Sequence, residues 1–356
     1  MTTQRIPFLD YLRVVACLMV ILVHACEFYF IDDMRIGIRS LSDGFWVSLI
    51  DSAFRCSVPL FVMISAWLLV PVQGNTADFF RRRLTRVLVP FALWSVLYAV
   101  LPLLWGGELG DARAALRHLA LNFNDASGHL WFVYMLIGLY LIMPVLSPWL
   151  QRAGRGAQRW FLGLWFLSSF FPYLRDAWGD VYGECYWNEY HTLWYFSGFI
   201  GYVVLAHYLR SHVKMPARRQ ALLGAVLYLA GYAFTATFWY GRIGTAQTLQ
   251  QLELSWRFCT PNVILETAGA FLLVQALFRR RQQTGPIVRE ISVLSYGIYL
   301  MHIFVLNAMH AMLAPLFCGP YATPLTIVTT GLSTFLICCL LAKALSWLPG
   351  SKYIIG

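Results

Sequence analysis

The sequence contains few charged residues. Of its 356 residues only 12% are Asp, Glu, Lys or Arg, whereas 59% are apolar, and the mean hydropathy is +0.61. A soluble domain is typically about a quarter charged and less than about half apolar. This shortage of charge argues against a soluble globular protein and indicates a chain that crosses a membrane several times.

The chain also lacks the usual marks of a metal centre, a redox pair or a second domain. It has no Cys-x-x-Cys pair, no His-rich spacing, no low-complexity tract and no long repeat. Of its eight cysteines, only Cys185 and Cys318 fall in predicted outward loops, where either a disulfide or unpaired packing is open. The first apolar stretch is too long and too polar for a cleavable signal peptide. We therefore expect one membrane domain over residues 1–356, without a metal.

Long apolar stretches recur along the whole chain, and spanning a hydrocarbon core takes about 20 helical residues. Each unpaired backbone group in lipid costs several kcal/mol, so the stretches must form helices or a closed barrel. Their apolar runs are continuous rather than alternating, which excludes a barrel. The sequence therefore predicts an all-α membrane protein, a bundle of about ten transmembrane helices. The predicted spans are 10–31, 45–71, 87–105, 129–150, 160–176, 191–210, 220–240, 259–278, 290–313 and 323–348.

The net charge of +10 first suggests a nucleic-acid partner. A nucleic-acid surface gathers its Lys and Arg residues in one patch or stripe. Here 18 of the 27 lie in the two terminal segments and the even-numbered connections, against seven in the odd-numbered connections. Positive charge at alternate connections marks the cytoplasmic side of a membrane protein. We predict that both termini are cytoplasmic and that nucleic acid is not a partner.

Four ionisable side chains interrupt the first predicted span. Asp10, Arg13, His24 and Glu27 fall on one stripe about a quarter-turn wide, because an α-helix turns about 100° per residue. Arg13 and His24 are separated by about 16 Å along the helix axis. Charged groups at that depth normally face a bundle interior or a cavity.

The stripe allows three interpretations. It fits the wall of a channel with a cation near the cytoplasm and a titratable base farther up, suited to a long anionic ligand. It equally fits a proton or solute relay, or buried pairs that only hold helices together. The spacing alone does not choose among them.

Five segments, in this order, resemble the acyltransferase-3 family of integral-membrane acyltransferases. They are "LDYLRVVACLMVILVH", "FRCSVPLFVMISAWLL", "FFRRRLTRVLVP", "GHLWFVYMLIGLYLIMPVL" and "LSYGIYLMH". The pattern is most similar to the polysaccharide O-acetyltransferases, of which the enterobacterial common antigen O-acetyltransferase is one. One position departs from the family pattern, because Ala66 stands where a Gly usually follows the Ser.

The resemblance implies transfer of an acyl group, most simply acetyl, from cytoplasmic acyl-coenzyme A to a hydroxyl of a cell-surface or periplasmic glycan. It implies a multi-pass protein of the bacterial inner membrane, with the lipid bilayer, acetyl-coenzyme A and a glycan as partners and with an oligomer left open. His24 is the expected catalytic base, since a hydroxyl needs a positioned base and His titrates near neutral pH. A covalent acyl-His route is the variant.

Other residues take expected roles around His24. Arginines suit coenzyme A phosphates because their paired N–H donors match phosphate oxygens. The expected donor-binding residues are Arg13, Arg83, Arg86 and Asp10. Contact with the acceptor or the acyl carbonyl is expected from Arg55, Ser65, His129, Trp131 and Glu27, and support of the site from Asp51, Glu266, Tyr299 and His302.

Alternatives stay open for most of these residues. Topology alone explains much of the Arg81–Arg86 charge, Asp51 and Arg55 fit a structural ion pair, and His129 fits an interfacial anchor. The outward aromatics fit either sugar stacking or an ordinary aromatic belt: Trp178, Tyr182, Tyr186 and Trp187. The alternative function is a transporter or exporter of a glycan or acyl unit, which should show inverted repeats and broken helices in matching halves.

Overall fold

The computed structural model describes residues 5–119, 125–179 and 190–356, most of them helical. The helices are α1 (Pro7–Glu27), α2 (Leu41–Ser52), α3 (Ser57–Leu69), α4 (Thr76–Val100), α5 (Leu109–Leu119), α6 (Trp131–Arg152), α7 (Arg155–Ser168), α8 (Phe171–Trp178), α9 (Ile200–His212), α10 (Ala217–Gly241), α11 (Leu249–Leu252), α12 (Pro261–Phe278), α13 (Pro286–Leu313) and α14 (Ala322–Ser346). A two-stranded antiparallel hairpin, β1 (Ile31–Asp32) and β2 (Arg35–Ile36), follows α1.

The predicted all-α membrane fold is confirmed. Eight helical stretches in the described part of the chain are long and apolar enough to cross a membrane. They match the predicted spans except 160–176 and 191–210, where the structure has the shorter helices α7, α8 and α9. The 14 residues of α7 are only about 21 Å long, less than the roughly 30 Å of a hydrocarbon core. The number ten and the orientation of the termini stay predictions.

The second predicted span is interrupted. Instead of one helix over 45–71, α2 ends at Ser52 and α3 begins at Ser57, with four turn residues between them. Pro59 explains the break. Proline has no backbone N–H to donate to the carbonyl oxygen one turn earlier, and its ring clashes with that carbonyl group. Arg55 therefore lies in the break, where its side chain can reach across the end of α2.

The first helix lies at the centre of the bundle. α1 packs against α3, α12, α13 and α14, and one large apolar cluster forms on each side of it. Its polar residues consequently face other helices rather than lipid.

The helices α10 and α12 approach each other most closely through glycines. A side-chain carbon at Gly269 of α12 would lie 2.4 Å from the backbone nitrogen of Tyr228 on α10. Gly224 of α10 faces the backbone of α12 in the same way. Backbone cannot move aside as a flexible side chain can, so this helix pair depends on residues without a Cβ.

Two cysteines, Cys185 and Cys318, lie in predicted outward loops, where a disulfide is one possibility. Cys318 is exposed, and Cys185 lies outside the described residues. The pairing stays open.

Gly269→Ala should lower the midpoint of thermal unfolding in detergent, because the added methyl group meets backbone and overpacking costs about 1–3 kcal/mol. Gly138→Ala on α6 is the matched control. Nothing lies within 4 Å of the carbon it adds, so its midpoint should stay equal or rise slightly. Equal midpoints for the two variants would contradict the close contact.

Candidate active site

A polar cavity of about 290 Å³ lies between α1, α3, α4, α6 and α13. Its wall brings together the three arginines that the sequence predicts as donor ligands, Arg13, Arg83 and Arg86. They come from different turns of α1 and α4, so only the tertiary fold places them together. Further polar groups in the wall are Arg5, Ser65, Tyr140, Ser292, Ser295, Tyr296 and Tyr299. Four guanidinium groups therefore line this one cavity and make its wall cationic.

Arg13 is held by a small network on the side of α13. Its Nη1 donates to Oγ of Ser292 at 3.3 Å, and that hydroxyl donates to Oδ1 of Asp10 at 2.7 Å. The other Asp10 oxygen, Oδ2, accepts from the Thr284 hydroxyl at 2.8 Å and lies 3.6 Å from Nη1 of Arg5. Asp10 is buried and does not line the cavity, so it supports Arg13 rather than facing a donor.

Not every arginine of the basic segment faces this cavity. Arg81 pairs with Asp78 at 3.2 Å on the exposed side of α4. Together with Arg82 and Lys352, it lines a neighbouring opening that Arg86 also touches. Arg86 therefore lines both this basic opening and the first cavity, called the arginine cavity below.

Three histidines meet at the other end of α1. His24 of α1, His129 before α6 and His302 of α13 have ring centroids 5.0 to 6.3 Å apart. The sequence predicts His24 as a base, His129 as an acceptor contact and His302 as support. The structure places all three in one cluster.

Hydrogen bonds fix which ring nitrogen carries the proton in two of these rings. Nδ1 of His24 lies 2.9 Å from Oε1 of Glu27, and Nδ1 of His302 lies 2.5 Å from the Tyr299 carbonyl oxygen. Both oxygens act as acceptors, so each Nδ1 carries the hydrogen and each Nε2 keeps a free lone pair. Nε2 of His302 and of His129 is buried without a hydrogen-bond partner within the described part of the chain.

Glu27 thus hydrogen-bonds His24, whereas the sequence predicts that Glu27 contacts the acceptor substrate or the acyl carbonyl. A carboxylate on one ring nitrogen fixes the orientation and tautomer of the imidazole and stabilises its protonated form. The side chain of His24 is 17% exposed and that of Glu27 is 38% exposed. The Glu27–His24 pair, called the dyad below, is therefore partly accessible at the end of α1 opposite the arginine cavity.

The arginine cavity and the imidazole cluster are neighbours, and Tyr299 contacts both. The cavity wall reaches Val20, one helical turn before His24, but His24 itself does not line it. Tyr299 lines the cavity, and its ring centroid lies 5.7 Å from that of His129. Its hydroxyl donates to the His129 carbonyl at 2.5 Å. Tyr299 therefore holds the His129 backbone and also forms part of the cavity wall.

Asp51 and Arg55 form the buried pair that their spacing suggests. Nη2 of Arg55 donates to Oδ2 of Asp51 at 2.8 Å, and Nε donates to Oδ1. The guanidinium carbon also lies 4.1 Å from the ring centroid of Trp256, in cation–π geometry. Both members of the pair interact electrostatically with His24.

The remaining predicted residues lie outside the imidazole cluster. Ser65 lines the arginine cavity, although the sequence predicts that it contacts the acceptor or the acyl carbonyl. Trp131 stacks on Phe258 at 5.3 Å, beside the Arg55 region. Glu266 is fully buried on α12 against Gly231. Trp178 is 75% exposed, whereas Tyr182, Tyr186 and Trp187 lie outside the described residues.

Sequence reasoning missed Tyr140, Ser292 and Trp256, whose side chains complete these sites. Tyr140 and Trp256 carry no charge and follow common aromatic patterns of a membrane protein. Ser292 precedes the "LSYGIYLMH" segment by two residues, a weak signal on its own. Within residues 5–119, 125–179 and 190–356, no group of His, Cys, Asp and Glu side chains is arranged to hold a metal ion.

Comparison with known proteins identifies the family of the chain. The family model described as an acyltransferase domain matches residues 6–343. The chain belongs to the acyltransferase-3 family. It is also 23% identical over 318 residues, or 85% of this chain and 81% of the relative, to "Putative membrane-bound acyltransferase YfiQ" of Bacillus subtilis (strain 168). No solved structure matches.

The family assignment makes the protein a multi-pass membrane acyltransferase and favours acyl transfer over the transport alternative. Both the Arg13 cavity and the Glu27–His24 dyad lie within the matched residues. The acyltransferase therefore carries an arginine of the cationic cavity and a candidate base on one central helix.

Asp51→Asn should destabilise the acyltransferase strongly, because Arg55 would keep a buried charge without its carboxylate partner. Breaking such a pair costs about 3–5 kcal/mol. The measurement is the midpoint of thermal unfolding in detergent. Glu290→Gln is the control, since the Lys343–Glu290 pair is exposed and such pairs contribute at most about 1 kcal/mol. A similar shift for both variants would contradict the buried pair.

Proposed function

We propose that this acyltransferase transfers acetyl from cytoplasmic acetyl-coenzyme A to a hydroxyl of a periplasmic or cell-surface glycan, in the inner membrane of a bacterium. One observation carries the proposal. The same central helix presents Arg13 to a cationic cavity near one end and the Glu27–His24 dyad near the other. This arrangement suits an anionic donor that enters from one side and an acceptor that arrives from the opposite side.

The arginine cavity supports the proposal that the donor is a coenzyme A thioester. Its arginines offer paired N–H groups to phosphate oxygens, a geometry that Lys does not reproduce. At about 290 Å³ the cavity lies at the low end of ligand sites, which run from roughly 300 to 1,000 Å³. It therefore suits the pyrophosphate and the narrow pantetheine arm, while the adenosine part stays at the basic mouth formed by Arg81, Arg82 and Lys352.

The dyad supports hydroxyl activation at His24. The free Nε2 takes the proton of the acceptor hydroxyl as its oxygen attacks the thioester carbonyl carbon. A C–O bond forms, the C–S bond breaks, and the imidazolium returns the proton to the departing coenzyme A thiolate. Glu27 keeps Nδ1 protonated and stabilises the imidazolium formed in the first step.

A covalent route would use the same nitrogen. In that variant Nε2 of His24 attacks the thioester first, and the acyl-imidazole then passes the acetyl group to the hydroxyl. Trapping with radiolabelled acetyl-coenzyme A in the absence of acceptor distinguishes the two routes, because only the covalent one leaves label on the protein.

His24→Ala should lower release of coenzyme A from acetyl-coenzyme A by about 10²–10⁴-fold, the usual contribution of a positioned base. Binding of acetyl-coenzyme A, measured by calorimetry on the purified protein, should persist. His118→Ala, on the exposed face of α5, is the control and should retain full turnover. Full turnover by His24→Ala would refute the catalytic assignment.

Arg13→Gln should act on donor binding and not on the chemical step. Loss of a hydrogen bond to a charged group costs about 1.5–3 kcal/mol, so the KM for acetyl-coenzyme A should rise roughly tenfold to a hundredfold. The exposed Arg113 of α5 provides the control Arg113→Gln, whose KM should not change. An unchanged KM for Arg13→Gln, with kcat reduced instead, would contradict the donor role.

A further inference from the structure

A second cavity, the outer cavity, has a volume of about 320 Å³, a largely apolar surface and no lining residue in common with the arginine cavity. It opens between the break after α2, the start of α9 and the segment that joins α11 to α12. The polar residues in its wall are Arg55, Gln250, Glu253 and Arg257, and Phe199 and Phe258 provide aromatic surface. The mechanism above uses none of these side chains.

The wall of this cavity is held rigidly. Arg55 is fixed by two bonds to Asp51 and by the ring of Trp256. Trp256 in turn donates from Nε1 to the Ser52 hydroxyl at 2.8 Å and stacks on Trp239, with ring centroids 4.4 Å apart. A wall that is ordered before binding loses little entropy when a ligand enters, which favours a specific site.

The charges around the cavity balance. Two guanidinium groups, Arg55 and Arg257, are matched by two carboxylates, since Asp51 lies against Arg55 and Glu253 interacts electrostatically with both arginines. The arginine cavity has no such balance, because Asp10 is the one carboxylate described beside its four arginines, and it contacts only Arg5 directly. An anionic ligand thus gains little here, whereas an uncharged ligand with many hydroxyls is well accommodated.

Two polar groups in the wall remain available to a ligand. Neither the Gln250 amide nor the Glu253 carboxylate hydrogen-bonds another described residue. Together they can both donate to and accept from hydroxyl groups. Phe258, backed by Trp131 at 5.3 Å, offers an apolar surface for the C–H face of a sugar ring. A few polar groups around an apolar surface is the usual composition of a small-molecule site.

The cavity is also linked to the candidate base. Glu253 and Arg55 both interact electrostatically with Glu27, which hydrogen-bonds His24. Trp131, which backs Phe258, follows His129 of the imidazole cluster by two residues. The charged residues of this cavity therefore lie within electrostatic range of the Glu27–His24 dyad, which makes the cavity a neighbour of the candidate base.

We propose that this outer cavity is the acceptor subsite and that it holds one uncharged sugar ring, with Glu253 and Gln250 as its hydrogen-bonding residues and Phe258 as its apolar surface. This inference rests on the proposed function, because it names where and in what form the glycan acceptor binds. It assigns specificity to the segment between α11 and α12.

The test is a binding titration of the purified full-length protein in nanodiscs, followed by saturation-transfer difference NMR. The probes are methyl glucoside, methyl N-acetylglucosaminide and the anionic methyl glucuronide. The variants are Glu253→Gln and Gln250→Ala, with Glu108→Gln as the matched control. Glu108 is exposed beside α5 and does not line this cavity. Thermal unfolding verifies that each variant is folded, and either cavity variant suffices if the other unfolds.

We expect at least one neutral glycoside to bind, the glucuronide to bind at least tenfold more weakly, and each cavity variant to weaken binding at least tenfold. The control should bind like the unmodified protein. The proposal is overturned if the glucuronide binds as well or better, if the variants bind normally, or if no probe binds.

Acetyl-coenzyme A cleavage, measured on the same preparation, separates the two proposals. Cleavage without any glycoside binding would remove the subsite and leave the acyl-transfer proposal standing. Glycoside binding without cleavage would remove the proposed reaction and leave the subsite.

Discussion

The cost of placing ionisable groups in hydrocarbon governs the arrangement of this protein. A charged side chain at the centre of a bilayer costs several kcal/mol, so it must face protein or water. α1 carries four such groups, and the bundle places this helix at its centre. The Asp10–Ser292–Arg13 network and the Glu27–His24 bond are two local solutions to the same constraint, one near each end of the helix.

The second consequence concerns α2 and α3. A continuous helix would hold Arg55 on a regular turn, but Pro59 interrupts the hydrogen-bond pattern and leaves Arg55 in a short irregular segment. The guanidinium can then bind Asp51 through two bonds and still cover the Trp256 ring. The irregular backbone is tolerated because it is buried in protein and not exposed to lipid.

Some of the site could be predicted from the sequence because helical periodicity and motif spacing are local. The register of Arg13 and His24 on one face follows from 100° per residue. The pairing of Asp51 with Arg55 follows from their separation of four residues. The shared cavity of Arg13, Arg83 and Arg86 was expected only through the family resemblance, since α1 and α4 are far apart in the chain.

Other features depend on tertiary packing, which periodicity does not report. The approach of His129 and His302 to His24 is set by how α13 packs on α1 and by where the fold places the segment before α6. The glycine contact of α10 with α12 is likewise invisible in a pattern of apolar residues. The spans 160–176 and 191–210 were predicted by hydropathy alone, and the breaks around α7, α8 and α9 reflect local turns such as that before Pro172.

The position of Tyr299 has a consequence for membrane energetics. An uninterrupted column of water from the arginine cavity to the imidazole cluster would conduct protons and dissipate the gradient that a cell membrane maintains. The ring of Tyr299, anchored to the His129 backbone, contacts both the arginine cavity and the imidazole cluster. A slender arm that threads past one aromatic ring can deliver a chemical group across the barrier without opening a pore for ions.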